Sequence, residues 1–168
     1  EFWQRKHWSS LLANYKRAPY FDYFAPALEE MYQDIIWDRL IDVCWHQFEL
    51  FRNWLGLGDR EVVRMTECKF DGSKDYLILD HCKKLNGDAV VFGEHGSDYV
   101  NLKIFNDANV EVYFQKYNHP TYEQRFTGFQ SNMSVIDLLM NNGPEKSLSI
   151  LLGGNMSYSE LRSNKYWM

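Results

Sequence analysis

Ala89–Tyr117 reads AVVFGEHGSDYVNLKIFNDANVEVYFQKY, and this stretch decides the fold. The apolar run Ala89–Phe92 has the length of a short buried strand and stops at a glycine. Asp98–Asp107 then reads as a helix, and Val110–Tyr117, rich in β-branched and aromatic residues, as a second strand. A strand, a helix and a strand in that order argue for a parallel pair joined by a crossover. Working outward, Val62–Glu67 reads as another strand and Asp75–Leu85 as a helix. Val135–Asn142 and Glu145–Leu152 read as helices that complete the domain. The expected class is α/β, with a small, mainly parallel sheet and crossover helices.

A helical portion precedes the sheet. Trp3, His7/Trp8, Leu11/Leu12 and Tyr15 follow a helical period, so residues 2–17 read as a helix that Pro19 ends. The aromatic segment Ala18–Phe24 reads as a loop, followed by a helix opened by Pro26. A longer helix covers residues 35–55, with Ile36, Leu40, Val43, Gln47, Leu50 and Trp54 as its inward stripe and Gly56 and Gly58 as its stop. The organisation expected is a single domain over residues 1–152, helical to 58 and alternating from 59, with a polar, loosely held tail over 153–168. The opening residues Phe2, Trp3 and Trp8 read as the middle of an amphipathic helix, which points to a preceding segment.

The 168 residues carry 18 basic and 23 acidic side chains, a net charge of −5, which disfavours binding along a nucleic-acid backbone. Three cysteines, Cys44, Cys68 and Cys82, are odd in number and lack close pairing, so neither a disulfide framework nor a zinc site is expected. No metal or other cofactor is expected. A reducing cytoplasm is the simplest compartment, and no apolar run reaches the roughly 18 residues of a membrane span, so no membrane insertion is expected.

Three places invite a chemical reading. Gly93-Glu94-His95-Gly96-Ser97-Asp98-Tyr99 lies between strand and helix, where glycines let a backbone approach a ligand and N–H groups face an anion. A tight turn capped by Ser97 or Asp98 is the structural alternative. His119-Pro120-Thr121-Tyr122-Glu123-Gln124 leaves the second strand. Parallel strands would bring both loops to one edge, with His119 as a base poised near neutral pH or, alternatively, as a turn histidine bonded to a carbonyl. On the first helix, Arg5 and Lys6 stand eleven residues before Lys16 and Arg17, on one face, beside His7 and the aromatic segment Tyr20–Phe24. That cluster could meet a phosphate or form a solvated face. Ser134-Val135-Ile136-Asp137 fits a capping box and reads as structural. His46 and His81 read as packing or surface histidines.

Together these segments resemble the WbqC-like family of bacterial surface-polysaccharide clusters. The resemblance rests on Lys6-His7-Trp8, Tyr15…Arg17-Ala18-Pro19-Tyr20-Phe21, Leu55-Gly56-Leu57 and Gly93…Gly96…Tyr99. It rests above all on His119-Pro120…Tyr122…Gln124…Phe129…Ser134…Asp137-Leu138…Asn141…Gly143, and it runs from about residue 3 to residue 144. Members of the family normally begin with a further segment rich in Gln, Pro, Tyr and Gly. Phe92 stands where the family pattern often has a serine.

The resemblance implies acyl or aminoacyl transfer onto a nucleotide-linked amino sugar in O-antigen or related glycan assembly, with that sugar and an acyl donor as partners. On this reading His119 or His7 takes the amine proton. Arg17, Tyr20, Gly93, Gly96, Ser97, Tyr99, Tyr122 and Gln124 are the candidate ligand contacts. A non-catalytic subunit that presents a sugar or carrier to another enzyme is the alternative.

Overall fold

The computed structural model describes residues 2–163. They form two compact units. The first comprises the chain up to Arg60 together with His119–Gly153, and the second comprises Glu61–Asn118 together with the chain from Gly154 onward.

In the first unit, α1 (Phe2–Tyr15) is followed by α2 (Phe21–Glu29). Of the aromatic segment expected as a loop, residues 18–20 are a turn and residues 21–24 are the first turn of α2, in which Phe21 and Phe24 are core residues while Asp22 and Tyr23 stay exposed. Pro26 sits inside this helix rather than opening it. Lacking an N–H, it withdraws one rung from the helical ladder. The helix then widens into a π-turn over Glu30–Asp34, closed by the Ile35 N–H donating to the Glu30 carbonyl. The Gln4 amide of α1 donates to the Ile35 carbonyl at 2.7 Å, which explains a buried glutamine on an otherwise apolar face.

The next helix, α3 (Leu40–Trp54), starts five residues later than expected, with residues 35–39 outside it. Of the expected inward stripe Val43 is buried, whereas Ile36 and Leu40 are each 78 % exposed. Trp8, Phe21, Phe24, Leu28, Met31, Leu139 and Met140 make the core of this unit.

The second unit contains α4 (Asp75–Lys84), β1 (Ala89–Gly93), α5 (Leu102–Asp107) and β2 (Glu111–Gln115). The two strands pair in parallel, from Ala89 against Glu111 to Gly93 against Gln115, so the strand–helix–strand reading gives the α/β class and a parallel sheet. Three details differ from the sequence expectation. Val62–Glu67 is irregular and largely exposed, and is not a strand. The single helix expected over 98–107 is a 3₁₀ turn, Glu94–Asp98, followed by α5, which Asn101 caps by accepting from the Lys103 N–H. The strand β1 is buried on one side only: Phe92 points into the core while Val91 is 55 % exposed. Leu79, Cys82, Phe105, Val110, Val112 and Phe114 pack with Phe92 beneath the sheet.

Two further elements follow. In the first unit, α6 (Val135–Gly153) is two helical halves meeting at Gly143, whose φ of 76° is left-handed backbone, with Pro144 next. The two expected helices are these halves. Residues 154–163 return to the second unit and lie along β2: the Met156 N–H donates to Gln115, the Asn118 N–H to the Gly154 carbonyl, and α7 (Tyr158–Ser163) packs on the strand. The rest of the expected tail, 164–168, lies outside the described residues. Among the described residues, no helix is long and apolar enough to cross a membrane.

Candidate functional site

The first unit holds two polar constellations, one at each end of α1. At the C-terminal end, the Asp137 carboxylate is 6 % exposed and collects four donors. The hydroxyl of Tyr15 donates to Oδ1 at 3.0 Å, and the Asn141 amide approaches the same oxygen at 3.3 Å. The hydroxyl of Tyr122 donates to Oδ2 at 3.0 Å and the Gln124 amide at 2.9 Å. A buried carboxylate is tolerable only with such partners.

Gln124 also reaches the Gln130 backbone in both directions, at 2.9 and 2.8 Å, so the polar loop between β2 and α6 is folded onto the carboxylate. Burial, then the charge of Asp137, then the hydrogen bond to it hold the Tyr15 phenol well above the usual tyrosine range.

Ser134 caps α6 weakly, accepting from the Ile136 N–H at 3.4 Å, and the Asp137 N–H donates to the Ser134 carbonyl. Asp137 itself serves the network, so it does not close a reciprocal capping box. His119 belongs to the same loop. Its Nε2 accepts the Asn132 N–H at 3.1 Å, and its ring packs between Tyr122 and Phe129, with centroids 6.2 and 5.9 Å away.

At the N-terminal end of α1 lies a cavity of about 460 Å³. Trp3 and His7, four residues apart, share one helical face of α1 and line it. The π-turn contributes Tyr32, and the non-helical residues before α3 contribute Trp37 and Asp38. Three of these rings are bonded to the protein through one polar atom each. The His7 Nδ1–H donates to the Trp3 carbonyl at 2.8 Å, Trp37 Nε1–H to the Met31 carbonyl at 2.8 Å, and the Gln47 amide to the Tyr32 hydroxyl oxygen at 2.8 Å. His7 stacks on Tyr32 with an interplanar angle of 13°, and Trp3 meets both edge-on.

The bond from Nδ1 fixes the His7 tautomer, so the neutral ring carries its lone pair on Nε2. Burial raises the Tyr32 hydroxyl above its ordinary range, partly offset by the Gln47 bond, so the phenol stays neutral near pH 7. Arg39, also on the cavity wall, is held by Asp42 through two bonds of 2.8 Å.

The remaining candidates fall elsewhere. Tyr20 is half-buried, with its N–H on the Met140 carbonyl and its ring where a Cβ on Gly143 would stand. Arg17 is exposed past the end of α1, as is Lys16. The glycine loop belongs to the second unit. There a Cβ on Gly96 would come 2.6 Å from the Phe92 Cβ, while Gly93 has open space, Ser97 Oγ donates to the Glu94 carbonyl, and Tyr99 is 67 % exposed. Gly96 thus serves the packing of a tight turn. Among the described residues, no group of three or more His, Cys, Asp or Glu side chains could hold a metal ion.

Asp137, Tyr15 and Asn141 were not read from sequence as a network, and Tyr32, Trp37 and Asp38 were not read as cavity walls. The clue available was polar residues set in apolar stripes: Gln47 on α3 and Asp137 on α6.

One curated relative, the "Uncharacterized protein Rv1507c" of Mycobacterium tuberculosis (strain ATCC 25618 / H37Rv), is 26 % identical over 152 residues. The match covers 85 % of this chain and 62 % of the relative, so the chain spans less than two thirds of that protein's length. No solved structure matches the chain. The family profile described as "WbqC-like protein family" matches residues 1–148, and the chain belongs to that family.

Proposed function

We propose that the cavity of the first unit binds a nucleotide-linked amino sugar and that the protein, in the cytoplasm, takes part in acyl or aminoacyl transfer onto the sugar amine during surface-glycan assembly. The observation that carries this reading is the cavity itself. Its volume falls within the roughly 300–1,000 Å³ of small-molecule sites. Its aromatic walls suit a sugar ring or a base, and it contains a histidine of defined tautomer.

In the reaction, the sugar amine, protonated in water near neutral pH, first loses a proton to solvent and then attacks the carbonyl of an activated acyl donor with its lone pair. The N–C bond forms, the donor's leaving group departs with its electron pair, and the amine proton passes to His7 Nε2. His7 suits this role better than His119, whose Nε2 already accepts a backbone N–H. Tyr122 and Gln124 contribute indirectly, by holding the loop on Asp137.

The test is thermal melting of the full-length protein against nucleotide-linked amino sugars, free nucleotides and acyl donors. A ligand at a hundred times its Kd stabilises by about 2.7 kcal/mol, a readily measured rise in Tm. A rise with the amino sugars that His7→Ala retains while losing turnover supports the reading. No rise with any of them contradicts it. Binding without turnover in the wild type would leave a presenting subunit in place of an enzyme.

A further inference from the structure

We infer that this cavity recognises a cationic ammonium group and excludes phosphate, so that it takes the amine-bearing end of its ligand. The inference rests on the cavity being the ligand site. Trp3, Tyr32, Trp37 and His7 line it, and the bonds described above engage one polar atom each of His7, Tyr32 and Trp37 with the protein. What such rings offer a ligand is their negative π-faces, and a cation within about 6 Å of ring centroids is attracted by them.

The charges at the wall agree in sign. Arg39 is offset by its two-bond pairing with Asp42, and Asp38, exposed and on the same wall, leaves a net negative rim. Aromatic faces with one carboxylate form a chemically sensible seat for an ammonium. They are a poor one for a diphosphate, which would meet Asp38 and find its nearest guanidinium already engaged.

The probes are choline and its neutral carbon isostere dimethylbutanol, matched in shape and differing in charge, with inorganic pyrophosphate as the anion. Binding is read by quenching of tryptophan fluorescence, and Trp3→Phe assigns the cavity's share of the signal. Choline is expected to bind about tenfold more tightly than the isostere. Asp38→Asn should narrow that preference by several-fold while leaving the isostere's affinity unchanged, and pyrophosphate should not compete.

Equal affinities for choline and the isostere, or competition by pyrophosphate, would overturn the inference. If nucleotide-linked amino sugars still raise Tm in that case, the functional reading survives without it. If choline is preferred and no such sugar binds, the cation site stands and the functional reading falls.

Discussion

The Tyr15 hydroxyl and the Asp137 carboxylate, 122 positions apart in sequence, meet at 3.0 Å. This bond joins the end of α1 to the first turns of α6, and Tyr122 and Gln124 add the intervening loop to the same acceptor. One buried carboxylate therefore ties together three separate stretches of the first unit.

Removing it should be costly. Asp137→Ala leaves two tyrosine hydroxyls without this acceptor and the Gln124 and Asn141 amides with only their backbone partners, and each buried polar group so stranded costs about 1–3 kcal/mol. With partial relaxation the expected loss is about 3–5 kcal/mol, measured by urea unfolding. A loss below about 1 kcal/mol would mean that the network does not hold the unit together.

The same pair predicts an alkaline limit. The folded-state pKa of Tyr15 is raised above its unfolded value of 10.0, so the folded form binds the phenolic proton more tightly. Its contribution to stability is complete below that value and is lost as pH rises toward the folded pKa. Stability should begin to fall above about pH 10, and Tyr15→Phe should flatten this dependence. Tyrosinate absorbance followed alongside unfolding checks it. An equal slope in the two proteins would remove Tyr15 as the cause.

The glycine loop separates packing from binding. Gly96→Ala drives a Cβ into Phe92 and should destabilise the protein by about 1–3 kcal/mol, whereas Gly93→Ala meets open space and should change stability little. Equal effects on Tm would contradict the view that Gly96 serves the turn. A loss of sugar binding in Gly93→Ala at unchanged Tm would instead restore a ligand role to this loop.

Much of the architecture was legible because local signals agreed with it. The run Ala89–Phe92 and the stretch from Val110 onward gave a parallel pair, and Gly143-Pro144 marked the break between two helical halves. The failures have physical causes. Val62–Glu67 has strand-like composition but no partner strand among the described residues, and propensity alone does not make a sheet.

Other features needed tertiary information. Tyr20–Phe24 looked like a ligand-lining loop because a proline inside a helix and a proline opening one are alike until packing is known. Ile36 and Leu40 fit an inward period but precede or begin α3, where the chain is still turning. At the site, His7 was legible as a chemical group. Its partners Tyr32 and Trp37 come from a π-turn and an irregular segment, and no periodicity announces either.

The central claim, that the cavity beside His7 is where the ligand binds, can be tested through Cys44. This exposed thiol lines the cavity, Cys68 is half-buried in the second unit, and Cys82 is buried. Alkylation by iodoacetamide, followed residue by residue by mass spectrometry, should therefore be fastest at Cys44. A nucleotide-linked amino sugar that raises Tm should slow alkylation at Cys44 several-fold and leave Cys68 unchanged. If Cys44 reacts at the same rate when that ligand is saturating, the ligand lies elsewhere and the account of the cavity is wrong.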